Sequence, residues 1–273
     1  MRRFALLGYL YVCLTGAALG LDPHKPISQY VHKVWYSDDG LPQNSIQAML
    51  QTNDGYIWIG TQEGLVRFNG IEFKVFNKSN TDAIRHNDVR VLYQDRDGAL
   101  WIGTFGGGLV RYQDRQFTNY TVKTGLSNNA ISAILQDRKG NLWVGTNDGL
   151  NEFTGGKIVI FNRTNGLSDN RVTAIAEDRE GKLVVAGRNG LDVIVNGAPT
   201  GPYSPQVLSR KSAQALFLDN GGSLWIGTEY HGLEVLNAGK LTHYGAQQGL
   251  PSAPVVTIYQ DRLHTIWVGT EGA

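Results

Sequence analysis

Gly98-Ala99-Leu100-Trp101-Ile102-Gly103-Thr104 returns 42 residues later as Gly140-Asn141-Leu142-Trp143-Val144-Gly145-Thr146. The Trp-x-Gly-Thr core of this stretch begins at Trp58, Trp101, Trp143, Trp225 and Trp267. A degenerate copy reads as Val185-Ala186-Gly187-Arg188, with Val185 in place of Trp and Arg188 in place of Thr. The steps are then 43, 42, 42, 40 and 42 residues. Six copies at so even a spacing mark a repeat architecture, and the period decides the fold.

Each unit reads as four short strands. An alternating apolar run comes first, as in Val89 to Tyr93 or Ile131 to Leu135. A tight turn follows, such as Asp95-Arg96-Asp97-Gly98, where Asp accepts from the backbone and Gly takes a positive φ. The Trp-x-Gly-Thr strand is next, then a short loop and a third strand such as Gly108-Leu109-Val110-Arg111-Tyr112. A polar-aromatic fourth strand, such as Phe117-Thr118-Asn119-Tyr120, leads into a linker such as Gly125-Leu126-Ser127. No unit has a period of 3.6, which sets aside helical solenoids. Four antiparallel strands every ~42 residues predict an all-β propeller. The expectation is five complete blades over residues 46–244 and a truncated sixth, with the recurring Trp packed between blades. Val34 to Asn44 reads as the outer strand of a closing blade plus the linker into the next unit, which would leave the ring incomplete in a fragment of a longer protein.

Composition narrows the function. The 273 residues include 34 Gly and only 8 Pro, and 41% of them are hydrophobic, as suits a packed core with many turns. The formal net charge of +1 lacks the footprint of a nucleic-acid binder. Arg2 and Arg3, the apolar Phe4 to Leu14 and the small residues Ala18 and Gly20 predict a signal peptide over residues 1–20. A lead-in over 21–33 and a propeller over 34–273 complete the expected division. The single cysteine, Cys13, lies in the leader, so the exported chain has neither disulfide nor thiolate site. No metal-binding, nucleophile or phosphate-loop motif is present, so no catalytic residue, metal or cofactor is assigned. Asn77-Lys78-Ser79, Asn119-Tyr120-Thr121 and Asn162-Arg163-Thr164 match a glycosylation pattern, but their place on outer strands gives it no functional weight.

Asp39 to Ser45, Asp54 to Gly70 and Gly98 to Tyr112 resemble the two-component regulator propeller repeat, and the resemblance extends over about residues 30–273. It implies the periplasmic sensing part of an inner-membrane signalling protein, a homodimer at full length. A histidine kinase would be the output, or a diguanylate cyclase in some relatives. The alternatives are a secreted propeller lyase using Arg188, Glu229 and His231, or an interaction scaffold.

A regular scaffold with varied loops at one mouth places binding there. The strand-two-to-three loops differ from blade to blade. They offer Glu63, Phe105, Asp148, Arg188, Glu229, Tyr230 and His231 as candidate ligand-binding residues. That mixture suits a small polar ligand or an oligosaccharide. The other partners expected are the remaining blades and the output domains of the same protein, with no nucleic acid.

Overall fold

The computed structural model describes residues 33–202, 212–251 and 253–271, together with Gln29. The expected leader, most of the lead-in, His24 and His32 lie outside the described residues. Five four-stranded antiparallel sheets and one two-stranded sheet follow one another along the chain. Blade 1 holds Ile46–Gln51, Ile57–Thr61, Gly64–Phe68 and Phe73–Phe76. Blade 2 holds Val89–Gln94, Leu100–Thr104, Leu109–Gln113 and Gln116–Tyr120. Blade 3 holds Ile131–Gln136, Leu142–Thr146, Gly149–Thr154 and Lys157–Phe161. Blade 4 holds Val172–Glu177, Leu183–Gly187, Gly190–Val195 and Ala198–Pro202. Blade 5 holds Ala213–Leu218, Leu224–Thr228, Leu233–Asn237 and Lys240–Tyr244. Blade 6 holds Val255–Gln260 and Ile266–Thr270. First strands of successive blades adjoin one another, so the first strand is the inner one. Among the described residues the helices are single 3-10 turns, four of them in the segments that enter a blade.

Trp58, Trp101 and Trp143 each fill the seam between their own blade and the next. Trp58 contacts Phe76 of blade 1 and Tyr112 of blade 2, with ring centroids 5.8 and 5.2 Å away. Trp101 repeats this with Tyr120 at 5.8 Å and Phe153 of blade 3 at 6.0 Å. The turn aspartate holds the indole in place. Asp137 accepts from the Asn141 backbone N–H at 2.9 Å and from Trp143 Nε1 at 2.9 Å. Asp95, Asp219 and Asp261 bond Trp101, Trp225 and Trp267 in the same way, at 2.7, 2.7 and 2.8 Å. One carboxylate thus closes the hairpin and satisfies a donor that would otherwise be buried unpaired.

Further contacts stitch the seam. The last residue of the inner strand accepts from the preceding turn: Gln94 from Asn53 N–H at 2.9 Å, Gln136 from Arg96 N–H at 3.0 Å and Glu177 from Arg138 N–H at 3.0 Å. Arg96 Nη2 donates to the Asp137 carbonyl at 2.7 Å, and Arg138 Nη2 to the Asp178 carbonyl at 2.5 Å. The glycine of Trp-x-Gly-Thr admits the next blade. A Cβ on Gly103 would meet Ile131 at 2.7 Å, and one on Gly145 would meet Val172 at 2.5 Å.

Two sequence expectations are corrected. Blade 4 is shifted by one residue: Gly187 pairs with Gly190 as Thr146 pairs with Gly149, so Trp is replaced by Val184, Gly by Ala186 and Thr by Gly187. Arg188 therefore matches Asn147 in the loop, not the buried Thr. Without a Trp to anchor the count, the string Val184-Val185-Ala186-Gly187 admits two alignments. Second, residues 33–36 form no strand. Trp35 nevertheless packs edge-on against Phe68 at 5.3 Å and Phe73 at 6.2 Å, the role Tyr120 plays against Phe153 at 5.5 Å. Trp58 is buried, at 2% exposure, because its packing partner is the following blade, whereas Trp267 is 38% exposed. The glycosylation-like triplets Asn77-Lys78-Ser79 and Asn162-Arg163-Thr164 are turn caps. Asn77 Oδ1 accepts from Ser79 N–H at 3.0 Å, and Asn162 Oδ1 from Thr164 N–H at 2.9 Å.

Asp137→Ala removes both the hairpin closure and the indole partner, so it is expected to cost about 2–4 kcal/mol in urea unfolding. Asp219 adds a pH dependence. Burial opposes its ionisation, but donation from the Trp225 indole and from Ser223 outweighs burial and holds its pKa below the ordinary value. A depressed pKa stabilises above the unfolded value of about 3.9 and loses that contribution as pH falls through the folded value. Urea midpoints measured down to acid pH should therefore drop more steeply for wild type than for Asp219→Asn.

Candidate functional site

Antiparallel strands put the strand-two-to-three loops and the blade-entry segments on one face, with the Asp-Gly turns on the other. In four blades a backbone bond joins the loop to the entry of its own blade. Phe105 N–H donates to Asp88 O at 2.9 Å, Asn147 to Ala130 at 3.2 Å, Glu229 to Ser212 at 3.0 Å and Glu271 to Pro254 at 2.9 Å. The loop face is therefore a ring of paired segments, and its inner positions belong to the entry residues. The seven candidates stand one step outward, a correction that follows from the inner strand being first in each blade.

The structure brings some candidates together. Glu229 sits at the centre of one cluster: Oε1 accepts from Tyr230 Oη at 2.6 Å, and Oε2 accepts from Gln214 Nε2 at 3.3 Å. Donation by Tyr230, then by Ser212, lowers the Glu229 pKa, and the positive charge of Arg188 on blade 4 adds to the effect. The same bond raises the Tyr230 pKa, because the phenol gives up a carboxylate partner on ionising. Arg188 and Glu229 are thus electrostatic neighbours across the blade 4–5 seam. Tyr230 is 80% exposed and stands out from the surface. Glu229, Tyr230 and His231 also line a groove of about 550 Å³ with His243, Gly245, Pro251 and Pro254.

The remaining candidates occupy separate blades. Glu63 Oε2 accepts from Asn87 Nδ2 at 3.4 Å, and Asp148 Oδ1 from Asn170 Nδ2 at 2.8 Å, each bridging to the entry of the next blade. Phe105 lies under the Arg90 guanidinium, 4.8 Å from its ring centroid. Arg90 is also paired through two bonds to Asp88, at 2.8 and 2.7 Å. Asp88, Arg90, Ser212 and Gln214 were not among the sequence candidates. Their signal was the variation of the residue entering each inner strand: Asp88, Ala130, Arg171, Ser212, Pro254.

The loop face therefore carries a carboxylate bonded to a phenol, with a guanidinium on the neighbouring blade close enough to act on that carboxylate electrostatically, and an exposed ring clamped by a paired arginine on blade 2. Such groups hydrogen-bond hydroxyls and stack on flat apolar faces. Among the described residues no group of three or more His, Cys, Asp or Glu is placed to hold a metal ion, and no helix is long and apolar enough to cross a membrane.

Glu229→Gln removes the anionic acceptor, so the Tyr230 pKa should fall toward the ordinary tyrosine value. Ultraviolet difference titration of the phenolate band checks this, and an unchanged titration would mean the bond does not persist in solution.

Comparison with known proteins adds a relationship to this geometry. Residues 40–63, 83–106, 125–148, 166–189 and 249–272 match the two-component regulator propeller. A stretch of 56 residues is 36% identical to Histidine kinase P4 of Formosa agariphila; it is 20% of this chain and 4% of that protein. The extracellular domains of two hybrid two-component systems from B. thetaiotaomicron share the architecture. One has a TM-score of 0.74 at 24% identity, covering 88% of this chain and 34% of that one. The other has a TM-score of 0.68 at 25% identity, covering 83% and 34%. The chain thus spans about a third of each of those domains and a small part of the kinase.

Proposed function

We propose that this chain, which carries the two-component regulator propeller repeat, is the ligand-sensing propeller of an exported, inner-membrane-anchored signalling protein. Its main support is the five-fold repeat match, together with the 25% identity to the extracellular domain of a hybrid two-component system. The ligand is a small polar molecule or an oligosaccharide, and it sits on the loop face. The full-length protein is a homodimer with a histidine kinase output.

The physical basis is the division of labour between the two faces. The turn face repeats the same Asp, Gly and Arg contacts from blade to blade, and those contacts hold the seams. The loop face varies, with Arg188, Glu229 and Tyr230 grouped at one seam and Asp88, Arg90 and Phe105 on blade 2. Carboxylate, guanidinium and phenol offer a sugar both donors and acceptors, and an exposed ring offers a stacking surface. A ligand spanning the blade 4–5 seam would favour one relative position of those blades. That differential affinity is what a sensor transmits to its output.

Isothermal titration of the exported region with periplasmic oligosaccharides tests the site. Saturable binding is expected, weakened at least ~10-fold by Arg188→Ala/Glu229→Ala, since hydrogen bonds to charged groups contribute about 1.5–3 kcal/mol. In membranes holding the full-length protein, the same ligand should change autophosphorylation. Equal affinity in wild type and double mutant would refute the site, and binding without any change in phosphorylation would refute the sensor reading.

A further inference from the structure

Blade 4 departs from its neighbours at three packed positions, and of the two that pack against blade 5, Val184 and Ala186, only one departure is compensated. Where other blades pair a strand-two glycine with a bulky residue entering the next blade, blade 4 has Ala186 facing blade 5, whose corresponding residue is the small Ala213. A methyl gained on one side is matched by methyls lost on the other. The replacement of Trp by Val184 has no such answer. The neighbour on blade 5 that would fill the seam is also reduced: Leu236 stands where blades 2 and 3 carry Tyr112 and Phe153, and the outer-strand position matching Tyr120 and Phe161 falls on Tyr203, outside the described residues. Leu218 replaces the Gln that latches other seams.

The result is a cavity. At the blade 3–4 seam, where Trp143 is present, the corresponding crevice measures about 150 Å³. At the blade 4–5 seam it measures about 590 Å³ and is lined by Val193, Leu218, Leu224, Leu236 and, at its polar end, Asp178 and Arg179. That volume lies within the ordinary range of small-molecule sites.

Asp178 gives the cavity its chemistry. It is the turn aspartate of blade 4 and is 8% exposed. Its Oδ1 accepts from Lys182 N–H at 2.8 Å, as in the other turns. In four other blades Oδ2 accepts the indole N–H of the seam Trp. Val184 has no N–H to give, and Asp178 Oδ2 accepts no hydrogen bond among the described residues. A carboxylate oxygen without a donor therefore faces a cavity whose lining combines Val193, Leu218, Leu224 and Leu236 with Arg179, Glu180, Lys182 and Thr200, on the side where an indole lies in the other seams.

We propose that the blade 4–5 seam is a binding site for a small planar heteroaromatic bearing a ring N–H, of the indole class. The ring would lie between Val193 and Leu236 and donate its N–H to Asp178 Oδ2. The site opens on the turn side of the seam and is distinct from the loop-face cluster, although both bridge the same two blades. A ligand here would fasten a seam that has lost its own wedge.

Indole and indene share the same fused rings, and only indole has the N–H. Calorimetric titration of the exported chain with each is the test. Indole should bind saturably, and indene at least ~10-fold more weakly, the loss expected for a hydrogen bond to a charged acceptor. Asp178→Asn keeps the Oδ1 turn contact and replaces the second acceptor with a donor, so it should bring indole down to the indene level. Val184→Trp should abolish indole binding and raise the melting temperature. If that variant does not fold, Leu236→Trp, at a residue that lines the cavity, should block indole in the same way. Absence of saturable indole binding, equal affinity for indole and indene, or indole binding that survives Val184→Trp would each overturn the proposal.

Discussion

The indole wedged between consecutive blades and held by the turn aspartate is the contact on which the rest of this structure depends. A four-stranded blade cannot bury both faces of its own sheet, so its stability lies at the seam with the next blade. Trp supplies the large apolar area that the seam needs, and its N–H must then find a partner in a dry environment. Asp supplies that partner and shapes the hairpin at the same time. One side-chain pair therefore links a local turn to a contact between blades.

Other features follow from this arrangement. Gly in Trp-x-Gly-Thr lets the next inner strand approach closely, and the buried Thr hydroxyl closes the loop by bonding the carbonyl of the residue that opens the third strand, as Thr146 does to Gly149 at 2.9 Å. The entry segments obey a related rule. Where the segment carries Ser127, the third strand carries buried Asn151 to accept its N–H at 2.9 Å; where it carries Ser168, the strand carries Asp192, also at 2.9 Å. Blade 1 has Pro42, which has no N–H, and its third strand correspondingly carries Val66. The units thus vary in coordinated pairs, and the turn face stays uniform while the loop face is free to differ.

The blades, their order and the split into two faces were legible in the sequence because period, turn chemistry and alternation agree there. Blade 4 was misaligned by one residue because its anchor, Trp, is absent, and a run of Val, Val and Ala carries no register of its own. The Val34 to Asn44 segment was read as a strand from its likeness to other strand ends. Trp35 keeps the aromatic contact of such a strand without its backbone pairing. The grouping of Arg188 with Glu229 and Tyr230 was partly legible, since equivalent loops of adjacent blades lie side by side. The Asp88–Arg90 pair and the cavity beside Val184 were not, because both depend on which side chains meet across a seam.

The central claim is that the carboxylate–indole bond, and not ring burial alone, secures the seams that carry both residues. A double-mutant cycle at blade 3 tests it most directly: Asp137→Ala, Trp143→Phe and the combination, each followed by urea unfolding. Phe keeps most of the ring and removes only the N–H, so the cycle isolates the bond. The account requires a favourable coupling of about 1 kcal/mol or more between the two positions. Strictly additive losses would contradict it and would leave the aspartate as a turn residue that happens to lie beside a buried ring.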